Sequence, residues 1–265
     1  MRHRKLGIAL MKSKRATDAL AVLNPFLGGS RRPVAVMFLA LTLVSAPAIT
    51  HAQDGDRFLR WAGDDIEAFF LGISPESVGL TVGAGLLMIP LSRLDEPVRD
   101  RFRGDLPGAA GTAVDAANVV GSVGGSLGIS AGLFAISLFT DDTTFQDAAF
   151  TSMQTVVLTD IAIVALKTSI GRLRPWRNEG PYVFRPFTDL NSSFPSGHTS
   201  AAFALLTPFA VYYPNPFTIS LLAVSAGTGF ARIAKDKHWF TDVVAGAAVG
   251  FTAGYLLSRR HQDDV

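Results

Sequence analysis

Six apolar segments recur along this chain, at about 78–91, 116–139, 148–166, 199–213, 217–231 and 242–257. Short polar stretches carrying Gly or Pro breakers separate them. Most are longer than a strand and rich in Ala, Leu and Gly, so they predict helices and an all-α, six-helix bundle. No charge falls between Ala116 and Thr140, which makes 116–139 the best single candidate for a membrane span. Several other segments are shorter than the roughly 20 residues that a bilayer core requires. A membrane-embedded bundle is therefore the preferred reading, with a soluble helical bundle as the alternative. Gly246, Gly250 and Gly254 lie four apart on one helical face, and Gly121 and Gly125 repeat that spacing. Such stripes predict close helix–helix packing rather than catalysis.

The charges are unevenly distributed. The chain has 24 Lys+Arg against 22 Asp+Glu. Residues 1–52 hold eight of the basic groups (Arg2, Arg4, Lys5, Lys12, Lys14, Arg15, Arg31, Arg32) and one acid, Asp18. By subtraction, residues 53–265 carry 16 basic and 21 acidic groups, so the overall basic character gives no support for a nucleic-acid partner. Arg31-Arg32, an apolar run from Val34 to Val44 and small residues up to Ala52 read as an export signal, with an uncleaved anchor as the alternative. The expected organisation is this leader (1–52), an amphipathic segment (53–77), a helical catalytic domain (78–257) and a polar tail (258–265). The chain has no cysteine, which excludes a disulfide framework, a thiolate metal site and a cysteine nucleophile.

Half of the 16 basic residues after position 52 fall in two windows at the ends of apolar segments. Lys167, Arg172, Arg174, Arg177 and Arg185 form the first, and Arg232, Lys235 and Lys237 the second. Between them lies Ser192-Ser-Phe-Pro-Ser-Gly-His-Thr199, opening a helix. If successive helices run antiparallel, both windows and this helix start meet on one face. Cations beside a helix N-terminus make an anion site, since free N–H groups and the helix dipole both favour phosphate. His238 and Asp242 are spaced i, i+4, so a carboxylate can hold an imidazole in one tautomer. Asp160 is an ionisable group within an apolar segment, and Lys167, two turns on, is a possible partner. Arg172, Lys235 and Lys237 are expected to be solvated neighbours. Arg177 and Arg185 lie in a loop, 176–191, placed to meet a substrate head group.

These residues resemble a known signature. Lys167-x6-Arg174-Pro175, Pro195-Ser-Gly-His198 and Arg232-x5-His238-x3-Asp242 are similar to the three motifs of the type 2 phosphatidic acid phosphatase (PAP2) superfamily. That superfamily also contains bacterial acid phosphatases and vanadium haloperoxidases. The third motif often opens Ser-Arg, and here it opens Ala231-Arg232. The resemblance covers about residues 110–257. It implies that His238 attacks phosphorus, that Asp242 orients His238, and that His198 is the general acid and base. It further implies that Lys167, Arg174, Ser196, the Gly197 amide and Arg232 bind phosphate. No cofactor and no metal are implied.

The expected activity is a metal-independent phosphatase acting on a lipid phosphomonoester or diphosphate, with membrane lipids as surroundings. Alternatives are a soluble periplasmic acid phosphatase, a haloperoxidase holding vanadate in the same site, and a non-enzymatic anion-binding protein. Arg259-Arg260 after the last segment predict a cytoplasmic C-terminus and a site facing the periplasm or exterior. Six spans would then put residue 77 inside the cell, whereas a cleaved leader would put it outside. The reading that reconciles them has 78–91 not crossing the membrane.

Overall fold

The computed structural model describes residues 56–71, 83, 85–104, 108–188 and 192–265. The expected leader, cleavage positions included, lies outside them. Eight named α-helices occur among the described residues: α1 (Asp56–Leu71), α2 (Asp95–Phe102), α3 (Gly108–Val120), α4 (Val123–Ser137), α5 (Thr143–Ile170), α6 (Gly197–Tyr212), α7 (Pro216–Ala234) and α8 (Phe240–Asp263). Residues 85–91 are helical as well. The fold is all-α, as the apolar periodicity predicts.

Local chemistry sets the boundaries. Asp142 accepts the Phe145 N–H at 2.9 Å and starts α5. Asn215, followed by Pro216, forms a capping box with Thr218 and starts α7. The uncharged stretch 116–139 is not one helix. Ser122 accepts the Gly125 N–H at 3.0 Å and caps a new helix, so α3 and α4 meet at a 68° bend. Hydropathy is blind to such a cap, so the single apolar segment there folds as two helices.

Helix α6 lies at the centre, against α4, α5, α7 and α8. Val156, Ala204 and Leu205 form its core, with Val120, Leu127 and Leu206 packed around them. Much of the interior is small or hydroxylated and satisfied across helices. Ser152 Oγ donates to the Leu205 carbonyl at 2.7 Å, Ser225 Oγ to Ala202 at 2.9 Å and Thr228 Oγ1 to Ala117 at 2.8 Å. The stripe Gly246, Gly250, Gly254 does bring α8 onto α6. A Cβ on Gly246 would overlap the Ser196 carbonyl, and one on Gly250 the Ser200 carbonyl. Gly121 likewise lies against the His198 carbonyl, but Gly125 faces its own bend at Val119 and Ser122 rather than another helix.

Large apolar side chains point outward on α4, α7 and α8, among them Ile136, Ile219, Phe251 and Leu256. Helices α5, α7 and α8 are long and apolar enough to cross a membrane, and the bent pair α3–α4 makes a fourth candidate. With this outward apolar surface, the chain has the character of a membrane protein.

The two ends of the bundle differ. At one end α1 packs on the start of α5 and the finish of α8. Arg57 Nε pairs with Asp147 at 2.8 Å, and Phe58 lies 5.3 Å from Phe134 and 4.8 Å from Phe150. His261 stacks on Trp61 at 4.0 Å and sits between Asp65 (2.7 Å) and Thr151 (2.8 Å). Residues 258–263 are thus the last turns of α8, with His261 buried, rather than a free polar tail. At the opposite end α2 meets the loops around Arg172 and Asp236. Helices α1 and α2 thus stand at opposite ends of the bundle, placed by long-range pairs that hydropathy does not register.

Candidate active site

The site assembles at the α2 end, where α5 and α7 finish and α6 and α8 begin. Helix α5 stops at Gly171, whose φ of 64° is left-handed. A Cβ there would also collide with the Arg185 backbone, so glycine answers both demands. The chain then turns back, with Arg185 N–H donating to the Gly171 carbonyl at 2.7 Å and Leu173 N–H to Val183 at 2.9 Å. This leaves Lys167 on the last turn of α5 and Arg174 just beyond it. Lys167 Nζ donates to the carbonyls of Ser192 at 2.7 Å and Ser193 at 3.3 Å. It is not paired with Asp160, whose Oδ2 is buried without a hydrogen-bond partner.

The Pro195-Ser-Gly-His198 turn is tied to α8 by the Ser196 N–H, which donates to the Asp242 carbonyl at 2.9 Å. The Ser196 hydroxyl is buried and caps α6, 3.4 Å from the Thr199 N–H and 2.9 Å from Thr199 Oγ1. That contact makes Ser196 the N-cap of α6. Gly197 lies beside Lys167, whose Cε would be 3.9 Å from a Cβ at that position. His198 follows in the first turn of α6, half-buried.

Arg232 closes α7, largely buried, with Nη1 donating to Asn118 Oδ1 and Nε left without a partner. Its carbonyl accepts the N–H groups of Lys237 at 3.0 Å and His238 at 3.3 Å, which folds the loop back. Arg174 Nη1 reaches the Lys237 carbonyl at 3.3 Å. His238 itself precedes α8 instead of lying on it. Its proximity to Asp242 comes from the capping turn: Asp242 Oδ2 accepts the Trp239 N–H at 2.8 Å and lies 3.5 Å from His238 Nδ1. That is an ion-pair separation, and Nδ1 makes no formed hydrogen bond.

The sequence-predicted residues therefore converge. The positive charges of Lys167, Arg174 and Arg232 all act on His198, and those of Lys167 and Arg174 also act on His238. Arg172 departs from expectation. It is buried, not solvated, and donates to Asp242 Oδ1 at 2.7 Å and to Asp95 Oδ2 at 2.6 Å. Asp95 and Asn118 carry no recognisable signal in the sequence, since they stand 77 and 114 residues from the groups they bind. Arg172 had one: a third cation within a cationic motif, where a buried counter-ion is needed. Lys237 is exposed as expected, and Lys235 forms a surface pair with Asp115. Arg185 pairs with Glu179 at 2.7 Å and Arg177 lies over the Trp176 ring, both on the surface.

Burial pushes the His238 imidazole down to about 3; the Asp242 carboxylate opposes this, and Lys167 and Arg174 add to it. The ring is therefore neutral, and hence nucleophilic, throughout the range above pH 3. An imidazole at the ordinary 6.5 would be only ~3% neutral at pH 5. The expected result is that the rate of attack by His238 at pH 5 stays within a few-fold of that at pH 7. Rapid-quench trapping of phosphoprotein checks this, and a roughly 30-fold fall would show an unshifted imidazole. The same shift makes stability fall as pH drops below 6.5, because the unfolded chain then binds a proton that the folded one excludes.

Residues 149–265 match the PAP2 superfamily model. A lipid A 1-phosphatase of Porphyromonas gingivalis is 40% identical over 85 residues, covering 30% of this chain and 19% of that protein. A lipid A 1-phosphatase of Rhizobium johnstonii is 34% identical over 100 residues, covering 36% of this chain and 41% of that protein. The matched stretch thus spans less than half the length of either relative. No solved structure matches the chain. The three motifs gathered at one end of the all-helical bundle lie within the residues, 149–265, that match the PAP2 superfamily.

Proposed function

We propose that this protein is a membrane-embedded phosphatase that removes a phosphate group from a lipid through a phosphohistidine intermediate. The observation that carries this reading is His238, held neutral with Nδ1 towards Asp242, in the field of Lys167 and Arg174. That arrangement leaves Nε2 as the attacking nitrogen. In the first step Nε2 bonds to phosphorus and the bond from phosphorus to the lipid oxygen breaks. His198, which burial and the three cations push down to about 3, takes up a proton as the bound phosphate offsets those cations and gives it to the departing oxygen. In the second, His198 takes a proton from water, the water oxygen attacks phosphorus and the P–N bond breaks. Phosphate leaves and both imidazoles return to their starting state. Lys167, Arg174, Arg232 and the Gly197 N–H stabilise the charge on the equatorial oxygens. No metal ion takes part.

Lipid A 1-phosphate is the first substrate to test, given what the relatives are named for. The test is phosphate release by the full chain in detergent, with EDTA present. Phosphatidic acid, phosphatidylglycerophosphate, undecaprenyl diphosphate and p-nitrophenyl phosphate complete the panel. Metal-independent release from a lipid, inhibited by vanadate, supports the reading. Absence of release from folded protein rejects it.

The site faces the periplasm in this proposal, with α1 and the C-terminus in the cytoplasm, since Arg259-Arg260 follow the last apolar segment. Because α1 and the site occupy opposite ends of the bundle, a leader cleaved outside would bring the site to the cytoplasmic face. The native chain has no cysteine, so single cysteines are clean reporters. Lys237→Cys should react with an impermeant maleimide in intact cells and Glu67→Cys should not. The reverse pattern would place the site inside.

A further inference from the structure

Helix α2 lies outside the residues that match the family, yet two of its side chains, one turn apart, hold the chain on both sides of His238. Arg99 grips Asp236 with two bonds, Nε to Oδ1 at 2.6 Å and Nη2 to Oδ2 at 2.8 Å. Asp95 is fully buried. Its Oδ1 accepts the Thr241 N–H at 2.8 Å, its Oδ2 accepts Arg172 Nη2 at 2.6 Å, and Thr241 Oγ1 lies within 3.0 Å of both oxygens. Arg172 also donates Nε to the Pro181 carbonyl at 2.8 Å, and its Nη1 to Thr241 Oγ1 at 2.8 Å and to Asp242 Oδ1 at 2.7 Å.

Two consequences follow for the His238–Asp242 pair. A guanidinium is a rigid planar fork, so fixing Nη2 on Asp95 and Nε on Pro181 fixes where Nη1 points. Asp242 is thereby held by one oxygen, leaving Oδ2 for the Trp239 N–H and for His238. The charges matter as well. Arg172 stands between two carboxylates, so the triad is net negative. Without Asp95, the Arg172 charge would cancel that of Asp242, and the imidazolium forming at His238 would lose its counter-ion.

We propose that Asp95 is a positioning residue for the nucleophile: through Arg172 and Thr241 it orients Asp242, and its charge keeps Asp242 an effective counter-ion to His238. This rests on the phosphohistidine reading, and it assigns a part in catalysis to a helix outside residues 149–265.

The test compares Asp95→Asn with Asp147→Asn in the full-length chain in detergent. Asp95→Asn keeps the shape, removes the charge, and leaves Arg172 neutralised by Asp242, so the fold survives. Asp147→Asn breaks the buried Arg57 pair at the far end and reports plain destabilisation. The expected result is that Asp95→Asn lowers kcat on a lipid phosphate by about 10- to 100-fold, the scale known for groups that orient metal-ligating side chains. KM should change less than about three-fold, and the ¹⁵N signals of His238 should move. Asp147→Asn should alter neither kcat nor those signals. Unchanged kcat in Asp95→Asn, or an equal loss in Asp147→Asn, overturns the proposal.

Should Asp95→Asn fail to accumulate, Thr241→Val decides, because it loosens Asp95 from α8 without changing any charge. A several-fold lower kcat at constant KM supports the proposal, and an unchanged kcat overturns it. If the unmodified chain shows no turnover, the phosphatase reading fails by itself. The His238 ¹⁵N signals of Asp95→Asn then still decide the positioning role, which an unaltered spectrum would overturn.

Discussion

His238→Ala is expected to remove lipid phosphatase activity almost completely, lowering kcat by at least about 10⁴-fold. Loss of a covalent nucleophile removes the route through the intermediate, and in other enzymes such losses reach the order of 10⁶. The cations remain in the variant, so phosphate should still bind. Lys167 is held by two backbone carbonyls and Arg232 by Asn118, and neither anchor involves His238. The expected signature is thus near-normal affinity for phosphate or vanadate with no trapped phosphoprotein and no turnover. Steady-state assay with isothermal titration checks both halves. A variant that retains more than about 1% of wild-type kcat would exclude His238 as the nucleophile.

Arg172→Met carries the largest expected cost in stability. Arg172 separates Asp95 and Asp242, both fully buried. Removing it leaves two carboxylates facing one another without a counter-charge, and breaking a buried pair in this way costs about 3–5 kcal/mol. It also unties the Pro181 carbonyl and the Thr241 hydroxyl. The expected outcome is a large fall in the unfolding midpoint in detergent, with activity lost as a consequence. Adding Asp95→Asn to Arg172→Met removes one of the opposed charges and should recover part of that midpoint. If Arg172→Met unfolds at the wild-type temperature, the ion triad has no structural weight.

The distinction between these two residues also shows where sequence is a sufficient guide. His198, His238, Lys167, Arg174, Arg232 and Asp242 stand in three spaced motifs, and the physics of each is local: cations at a helix end, an imidazole at a helix start, a carboxylate four residues on. Antiparallel helices of similar length then bring the three to one face. The same reasoning misjudged Arg172, because its neighbourhood in sequence is polar while its neighbourhood in space is two buried carboxylates. It read 116–139 as one segment, whereas a hydroxyl cap at Ser122 bends a chain whose hydropathy is unbroken. It treated His261 as part of a tail, although stacking on Trp61 and a bond to Asp65 bury it.

What the sequence by itself determined is therefore the all-α class, the three-part signature and the set of motif residues that meet at one end of the bundle, since those depend on composition and on spacings within about ten residues. The tertiary structure alone decided which end of the bundle each segment occupies, that α1 and the site stand at opposite ends, and that Asp95 supports Asp242. Those outcomes rest on single contacts between residues 70 or more positions apart, such as Arg172 with Asp95 and His261 with Asp65. A contact of that range leaves no periodicity in the chain. It exists only once the packing of apolar helices has brought the two groups together and excluded the water that would otherwise satisfy them.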